Sequence, residues 1–241
     1  MISRTQPRWD ETLRPAPRLL ADGLYSIERR FLLPGGVGMP TRSLAMRAPD
    51  GALAVISPLP DDEARRDVAA LGPVRFLIAP NSFHYLGISS WAAAFPTAQL
   101  WLAPRLAERR PELPHGHELG EGAATPFAGV LSHTVLQPHR GVSEVAFLHR
   151  PSRTLILTDA CFHILEAPWR DRLAWRLLGV WKHFGPSLTA RRLLLRDRTR
   201  VADWIERLCR WDFERIAVAH GEVLESASAA TLREAFRSYL T

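Results

Sequence analysis

Residues 74–91 read VRFLIAPNSFHYLGISSW, and this stretch decides the fold. Its first six residues are nearly all apolar, as in a strand that is buried on both faces. A polar segment containing His84 follows, and residues 89–95 are predicted to form a helix. In α/β sheets the loops at the strand ends carry the functional side chains. The stretch therefore predicts an α/β protein with a site where its strands end.

The same reading extends along the chain and predicts strands, then helices, then strands and helices again. Residues 1–20 contain several prolines and arginines and are expected to form an N-terminal arm, while 21–241 are expected to form a single domain. Further strands are predicted at 23–27, 41–47, 52–57, 99–103, 131–136, 142–149, 154–158 and 215–219. Helices are predicted at 61–71, over about 165–210 with a break near 185–186, and at 227–240.

The composition excludes several classes of protein. A hydrophobic fraction of 46% and a charged fraction of 23% are typical of a globular chain. Two cysteines, Cys161 and Cys209, are too few for a disulfide framework. No transmembrane segment or signal peptide is evident, so a cytoplasmic protein is expected. The net charge is +6, but 30 of the 31 basic residues are arginines, which are scattered apart from one concentration at 191–200, and nucleic-acid binding is not expected.

Four potential metal ligands follow predicted strands. They are His84 after 74–79, His139 after 131–136, Asp159 after TLILT and His220 after RIAVA. Imidazole and carboxylate groups suit zinc or iron. One such residue alone is a weak signal, because histidine and aspartate also form turns and caps at strand ends. Four of them in this order favour a metal site.

These segments together resemble the metallo-β-lactamase superfamily over about residues 21–225, as a divergent branch of unknown function. ADGLYSI and TRSLAMRAPDGALAVISP are similar to its first strands, and VRFLIAPNSFHYLGISSW is similar to the strand and loop that carry its T-H-x-H-x-D-H motif. LQPHRGVSEVAFL, TLILTDACF and IAVAHGEVL are similar to the segments that carry its next histidine, its bridging aspartate and its last histidine. The resemblance implies a four-layer αββα sandwich with a helical insertion at about 165–200.

The motifs depart from the family at the metal site. Residues 81–86 contain one histidine, His84, which stands at the motif's aspartate or at its second histidine. The usual D-T-G turn reads Ser57-Pro58-Leu59. The resemblance therefore implies a reduced site with one zinc or iron ion per chain.

The ligands of that ion are expected to be His84, His139, Asp159 and His220, with Asn81, Ser82 and Tyr85 binding substrate. The expected function is hydrolysis of a small molecule, or oxidoreductase chemistry if the ion is iron. The alternative is a metal-free scaffold that binds a ligand or a protein without turnover; a nuclease is a third option. The insertion carries Trp169, Trp175 and Trp181 among arginines and fits a helical layer on the sheet, a lid, or a helix at a membrane surface.

Overall fold

The computed structural model describes residues 8–10, 15–33, 35–139 and 142–241; at 8, 9 and 137–139 it describes the backbone alone. Within these ranges the strands are β1 (Arg8–Trp9), β2 (Arg18–Ala21), β3 (Leu24–Leu32), β4 (Gly38–Arg47), β5 (Leu53–Ile56), β6 (Val74–Ala79), β7 (Gln99–Leu102), β8 (His117–Glu118), β9 (Leu131–His139), β10 (Val142–His149), β11 (Thr154–Leu157), β12 (Phe162–His163), β13 (Phe184–Gly185) and β14 (Arg215–Val218). The helices are α1 (Asp62–Leu71), α2 (Ile88–Ala94), α3 (Leu106–Arg109), α4 (Trp169–Leu177), α5 (Leu188–Leu193), α6 (Arg198–Leu208), α7 (Ala229–Ala235) and α8 (Arg237–Leu240).

The strands form two large mixed sheets. The first has the order β1-β3-β4-β5-β6-β7-β8, with β2 also paired to β3, and its pairs are parallel from β5 onward. The second has the order β14-β11-β10-β9, and only β11 and β14 are parallel. The parallel strands β6, β11 and β14 are short and mostly apolar, as expected of strands that are covered on both faces.

Three apolar cores show how the layers stack. The core between the two sheets includes Leu44, Ile78, Val145, Phe147 and Ile156. On the outer face of the first sheet, α1 and α2 cover β5 and β6, and on the outer face of the second sheet, α5 to α8 cover β11 and β14. The layers therefore run helix, sheet, sheet, helix, and the predicted αββα sandwich is confirmed.

Local signals set the ends of several elements. Helix α1 begins after Asp61, whose side chain accepts a hydrogen bond from the Ala64 amide at 2.8 Å, and two acidic residues occupy its first turn. Strands β6 and β10 have the predicted ends. The region at about 165–200 is only partly helical. It contains α4, the short strand β13, α5 and the start of α6, because Pro168, Gly179 and Pro186 interrupt a continuous helix.

Part of the predicted arm is built into the first sheet. Strands β1 and β2 both pair with β3 in the antiparallel sense.

Among the described residues, no helix combines the length and the apolar character needed to cross a membrane.

Candidate metal centre

Three of the four predicted ligands meet at one edge of the sandwich. His84 lies in the loop after β6, Asp159 follows β11, and His220 follows β14. The Nε2 atoms of the two histidines are 3.1 Å apart. His84 Nε2 is 3.3 Å from Asp159 Oδ2, and His220 Nε2 is 3.3 Å from Asp159 Oδ1. Within the described part of the chain this is the one group of three or more potential ligands close enough to hold an ion.

The protein fixes the second nitrogen of each imidazole. His220 Nδ1 lies 2.9 Å from the Pro40 carbonyl oxygen. A carbonyl can only accept a hydrogen bond, so His220 Nδ1 carries a proton, and in the neutral form of the ring the lone pair of Nε2 faces Asp159. His84 Nδ1 lies 2.5 Å from Ser57 Oγ. Ser57 adopts the left-handed conformation, with φ of 57°, where the chain leaves β5.

The His220 ring is held by its neighbours. It stacks on Phe162, with ring centroids 4.8 Å apart and an interplanar angle of 18°. The next residue, Gly221, has φ of 108°, and a Cβ atom there would lie 2.0 Å from the His163 carbonyl oxygen. Only glycine therefore allows β12 to approach the end of β14 this closely, and this approach positions Phe162 against the histidine.

The donor atoms fit a metal ion. With metal–ligand bonds of about 2.0–2.1 Å at tetrahedral angles, neighbouring donor atoms lie about 3.3 Å apart. The three separations between His84, Asp159 and His220 are 3.1–3.3 Å. Without a cation or a proton between them, the Nε2 lone pair of His220 would face a carboxylate oxygen, and two acceptors would repel each other. The arrangement thus favours a cation or a proton at its centre.

Asn81 lies behind this cluster and joins three segments of the chain. Its Nδ2 atom lies 2.6 Å from Asp159 Oδ2, 2.8 Å from Thr158 Oγ1 and 3.0 Å from Glu144 Oε2. Its Oδ1 atom accepts hydrogen bonds from the Phe83 and His84 amides, each at 2.8 Å. Asn81 is fully buried, and both the nitrogen and the oxygen of its side-chain amide form hydrogen bonds with other protein groups.

Glu144 is the residue of this network that the sequence analysis missed. It lies on β10, is fully buried, and accepts the Asn81 hydrogen bond together with three from consecutive backbone amides, those of Thr158, Asp159 and Ala160. The backbone that presents Asp159 is therefore held by a buried carboxylate. A signal was present, because a glutamate within the apolar strand 142–149 must find partners to be buried.

The charges of the cluster shift its pKa values. Burial raises the pKa of Asp159, but the charges and hydrogen bonds of His84 and His220 oppose it and hold that pKa well below its ordinary value. Burial lowers the pKa of His84, yet the Asp159 carboxylate outweighs it and the net direction is upward. Burial, then the Asp159 charge, raises the pKa of Glu144. The centre thus favours a carboxylate at Asp159 and positive charge beside it.

A pocket of about 350 Å³ opens onto the cluster. Ser82 and Tyr85 line it, whereas Asn81, the third residue that the sequence analysis expects to bind substrate, lies behind the cluster and is not part of the lining. Its other described walls are mainly apolar, and Asp159 is the only acidic residue among the described residues that line it. Arg109 and Arg110 bring positive charge, and the Arg110 guanidinium lies 4.8 Å from the centre of the Tyr85 ring.

A larger groove of about 760 Å³ lies beside the pocket and shares Thr41 with it. It is bordered by the segment around Pro40, by Gly221 and by the region that follows β12. Trp181 and Lys182 form part of its wall, whereas Trp169 and Trp175 line neither the pocket nor the groove. The tryptophans therefore do not face the metal centre as the lid interpretation requires.

A sequence family described as a domain of unknown function, DUF4336, matches residues 22–171, more than half of the chain. The chain belongs to the DUF4336 family. The matched residues include His84 and Asp159, whereas His220 lies beyond them. No curated protein matches the sequence.

Solved structures that resemble this DUF4336 protein have the metallo-β-lactamase fold. The metallo-β-lactamase FIM-1 from Pseudomonas aeruginosa, in its mono-zinc form, is 11% identical with a TM-score of 0.65, over 95% of this chain and 94% of that one. A metallo-β-lactamase from Erythrobacter litoralis is 15% identical with a TM-score of 0.63, over 93% of each chain. The flavodiiron core of Flv1 from Synechocystis sp. PCC6803, in a metal-soaked structure, is 12% identical with a TM-score of 0.64, over 94% of this chain and 62% of that one. At these identities the likeness confirms the predicted fold of the DUF4336 chain and leaves its activity open.

The fourth predicted ligand, His139, ends β9 of the DUF4336 domain, where that strand pairs with Val142 of β10. Its side chain lies outside the described residues. Its role as a ligand therefore stays a prediction, and the described centre consists of His84, Asp159 and His220.

Proposed function

We propose that this protein binds one zinc or iron ion through His84, Asp159 and His220, with His139 as a fourth ligand, and hydrolyses a small anionic molecule. The observation that carries the proposal is the spacing of the three donor atoms, 3.1–3.3 Å, with the His220 proton held on Nδ1 by the Pro40 carbonyl. A zinc ion bound by these residues would act as a Lewis acid at neutral pH.

The residues around the centre have distinct roles in this proposal. Asp159 supplies the negative charge that balances the ion, and Asn81 and Glu144 hold that carboxylate in place. Ser57 orients His84 through its Nδ1 atom, so that Nε2 faces the centre. Asn81 is therefore a positioning residue, since its amide is already fully engaged by protein groups.

The substrate class follows from the lining of the pocket. Besides the ligands themselves, its charged lining side chains are Arg109 and Arg110, which favours a substrate with a carboxylate or another anionic group. Apolar side chains such as Phe83 and Leu86 would cover the rest of a small molecule, and Ser82 and Tyr85 offer hydroxyl groups for orientation.

The alternative is a metal-free scaffold that binds a ligand without turnover, and one observation favours it. A proton shared by the two imidazoles could balance Asp159 in place of an ion, because the Asp159 carboxylate raises the pKa of His84. In that case the cluster would be a structural ion pair beneath a binding pocket.

Metal analysis separates the two functions. Protein purified without chelator should contain about one zinc or iron ion per chain, and apo protein should take up zinc in a calorimetric titration. Asp159→Ala and His220→Ala should abolish this uptake. His115→Ala is the matched control, because it removes an exposed histidine that lies outside the cluster, in a loop where His115 and His117 form a His-x-His pair. Wild-type protein that binds neither zinc nor iron would establish the metal-free scaffold instead.

The hydrolase activity needs its own measurement. Metal-loaded protein should hydrolyse some members of a panel of anionic esters, lactones and amides, and chelation should remove the activity. Arg110→Gln should raise KM for anionic substrates more than for neutral ones of the same size, since the guanidinium contacts the substrate's charge. Metal-loaded protein that binds panel members without turnover would support the scaffold function.

A further inference from the structure

The net positive charge of the protein lies in one stretch of its sequence. Residues 165–200 contain nine of the 31 basic residues and three of the 25 acidic ones, a net charge of +6. The rest of the chain has 22 basic and 22 acidic residues and is neutral. The whole net charge of the protein thus resides in the 36 residues that contain α4, β13, α5 and the start of α6.

Helix α4 exposes apolar side chains in the middle of this basic region. Trp169, Leu173 and Leu177 are 75%, 62% and 68% exposed. They are four residues apart and therefore form one stripe along the helix, because successive residues are rotated by about 100°. Soluble monomers rarely expose a continuous row of large apolar side chains, and such a row typically marks an interaction surface.

The opposite face of α4 is anchored, which fixes the direction of the stripe. Trp175 is buried in a small core with Phe162, Ile164 and Val180. Asp171 is buried as well; it is paired with Arg30 and accepts a hydrogen bond from the Gly38 amide at 3.2 Å. The helix cannot roll to cover its apolar stripe without breaking these contacts, so the stripe remains directed outward.

Exposed cations border the stripe on both sides. By the helical rotation, Arg170 lies at one edge of it, and Arg172 and Arg176 lie at the other. All three side chains are exposed, and the Arg170 guanidinium lies 5.6 Å from the centre of the Trp169 ring. Helix α5 continues the surface, because its first residue, Leu188, is 46% exposed and donates its amide to the Leu178 carbonyl.

We propose that the outer face of α4 binds the surface of an anionic lipid bilayer. Trp169, Leu173 and Leu177 enter the interface between headgroups and acyl chains, and Arg170, Arg172 and Arg176 contact the phosphates. Charge complementarity selects this occupant. Two copies of the chain joined through this face would bring the exposed Arg170, Arg172 and Arg176 of each copy together, and a nucleic acid would leave the leucines without an apolar partner.

Vesicle sedimentation of the full chain tests the proposal. The protein should pellet with mixed phosphatidylcholine–phosphatidylglycerol vesicles at low salt, remain in solution with phosphatidylcholine vesicles alone, and be released by about 0.5 M salt, where charges are screened within a few ångströms. The triple variant Trp169→Ser/Leu173→Ser/Leu177→Ser should lower the partition coefficient by about tenfold or more, because apolar burial contributes to such binding. Arg170→Gln/Arg176→Gln should lower binding to anionic vesicles.

Matched controls distinguish this surface from the rest of the molecule. Leu19→Ser removes an apolar side chain that is 58% exposed on β2, and Arg75→Gln removes an exposed arginine of β6. Both variants should bind vesicles as the wild type does. Circular dichroism and thermal unfolding should show all variants folded, since every replaced side chain is exposed. Failure to bind anionic vesicles at low salt, equal binding to neutral ones, or a dimer that the triple variant dissociates would each overturn the proposal.

Discussion

Strand β10 carries a buried ionisable side chain near each end, and these two side chains differ in the number of hydrogen bonds that they make to other parts of the chain. Glu144 and His149 are both fully buried. Glu144 accepts four hydrogen bonds from three separate residues of the 158–160 turn and from Asn81. The His149 side chain makes one hydrogen bond, between its Nδ1 atom and Ser152 Oγ at 2.7 Å. Its Nε2 atom has no hydrogen-bond partner among the described residues.

Burial shifts both pKa values towards the neutral form of each group. It raises the pKa of Glu144 and lowers that of His149 to about 4. Burial of an ionisable group therefore does not by itself mark a functional site in this molecule. What distinguishes the Glu144 end is that one side chain accepts hydrogen bonds from two separate segments, Asn81 and the turn that presents Asp159, whereas the hydrogen bond of the His149 side chain goes to Ser152 in the adjacent turn.

The largest effect is expected at Glu144. Glu144→Ala would leave three backbone amides and the Asn81 side chain without their acceptor, and it should lower the free energy of unfolding by about 3–5 kcal/mol, as when one partner of a buried charged network is removed. Urea unfolding measures this change. The variant should also lose metal uptake, because the turn that presents Asp159 is released.

The control for this change is Glu206→Ala. Glu206 lies on the surface and pairs with Arg233 at 2.9 Å. Exposed ion pairs contribute little to stability, so the unfolding midpoint should hardly move. Equal midpoints for Glu144→Ala and Glu206→Ala would mean that the buried network does not hold the turn.

The next effect is a pH dependence set by His149. Above pH 6.5 the imidazole is neutral in both states and contributes no pH dependence. Between about pH 6.5 and pH 4 the unfolded chain binds a proton that the folded chain does not. The free energy of unfolding therefore decreases by about 3 kcal/mol as the pH is lowered through this range. Unfolding curves recorded from pH 7 to pH 4 should show this loss.

His149→Gln should flatten that part of the pH profile, because it removes the titrating group. His115→Gln, at an exposed position, should leave the profile as in the wild type. If His149→Gln retains the full acid sensitivity, the unpartnered imidazole is not its source.

The smallest effects are expected when one neutral hydrogen bond is removed at either end of β10. Thr158 Oγ1 accepts from Asn81 at 2.8 Å, and Ser152 Oγ lies 2.7 Å from His149. Thr158→Val and Ser152→Ala should each lower the free energy of unfolding by about 1 kcal/mol. Only Thr158→Val should also weaken zinc binding in a calorimetric titration. Equal zinc affinities for the two variants would remove the distinction between the ends.

The sequence predicts the regular parts of this fold well. Strands β6 and β10 begin and end where their apolar runs do, and the Asp61 cap together with the acidic first turn locates α1. The region at about 165–200 is predicted less well, because its hydrophobic pattern suits a long helix while Pro168, Gly179 and Pro186 divide it. Between these breaks the chain forms β13, which pairs with β12, and the sequence pattern gives no sign of this pairing.

At the site, the sequence predicts which side chains converge better than it predicts the groups that orient them. His84, Asp159 and His220 converge because each follows a strand and these strand ends share one edge. The groups that orient them are harder to predict. Pro40 acts through a backbone carbonyl, which has no signature in the sequence, and Ser57 lies 27 positions from His84. Glu144 was predictable in principle, since a carboxylate in a strand covered on both faces needs several donors.

Lys182 provides a single side chain for labelling with amine-reactive reagents. It is the only lysine of the chain, it is exposed, and it lies at the wall of the large groove, 5.9 Å from the centre of the Trp181 ring. Apart from the terminal amine, an amine-reactive dye therefore has one place to attach. A fluorophore on Lys182 would sit between the groove and the basic region around α4, where its emission would report both small molecules entering the groove and lipid approaching the helix.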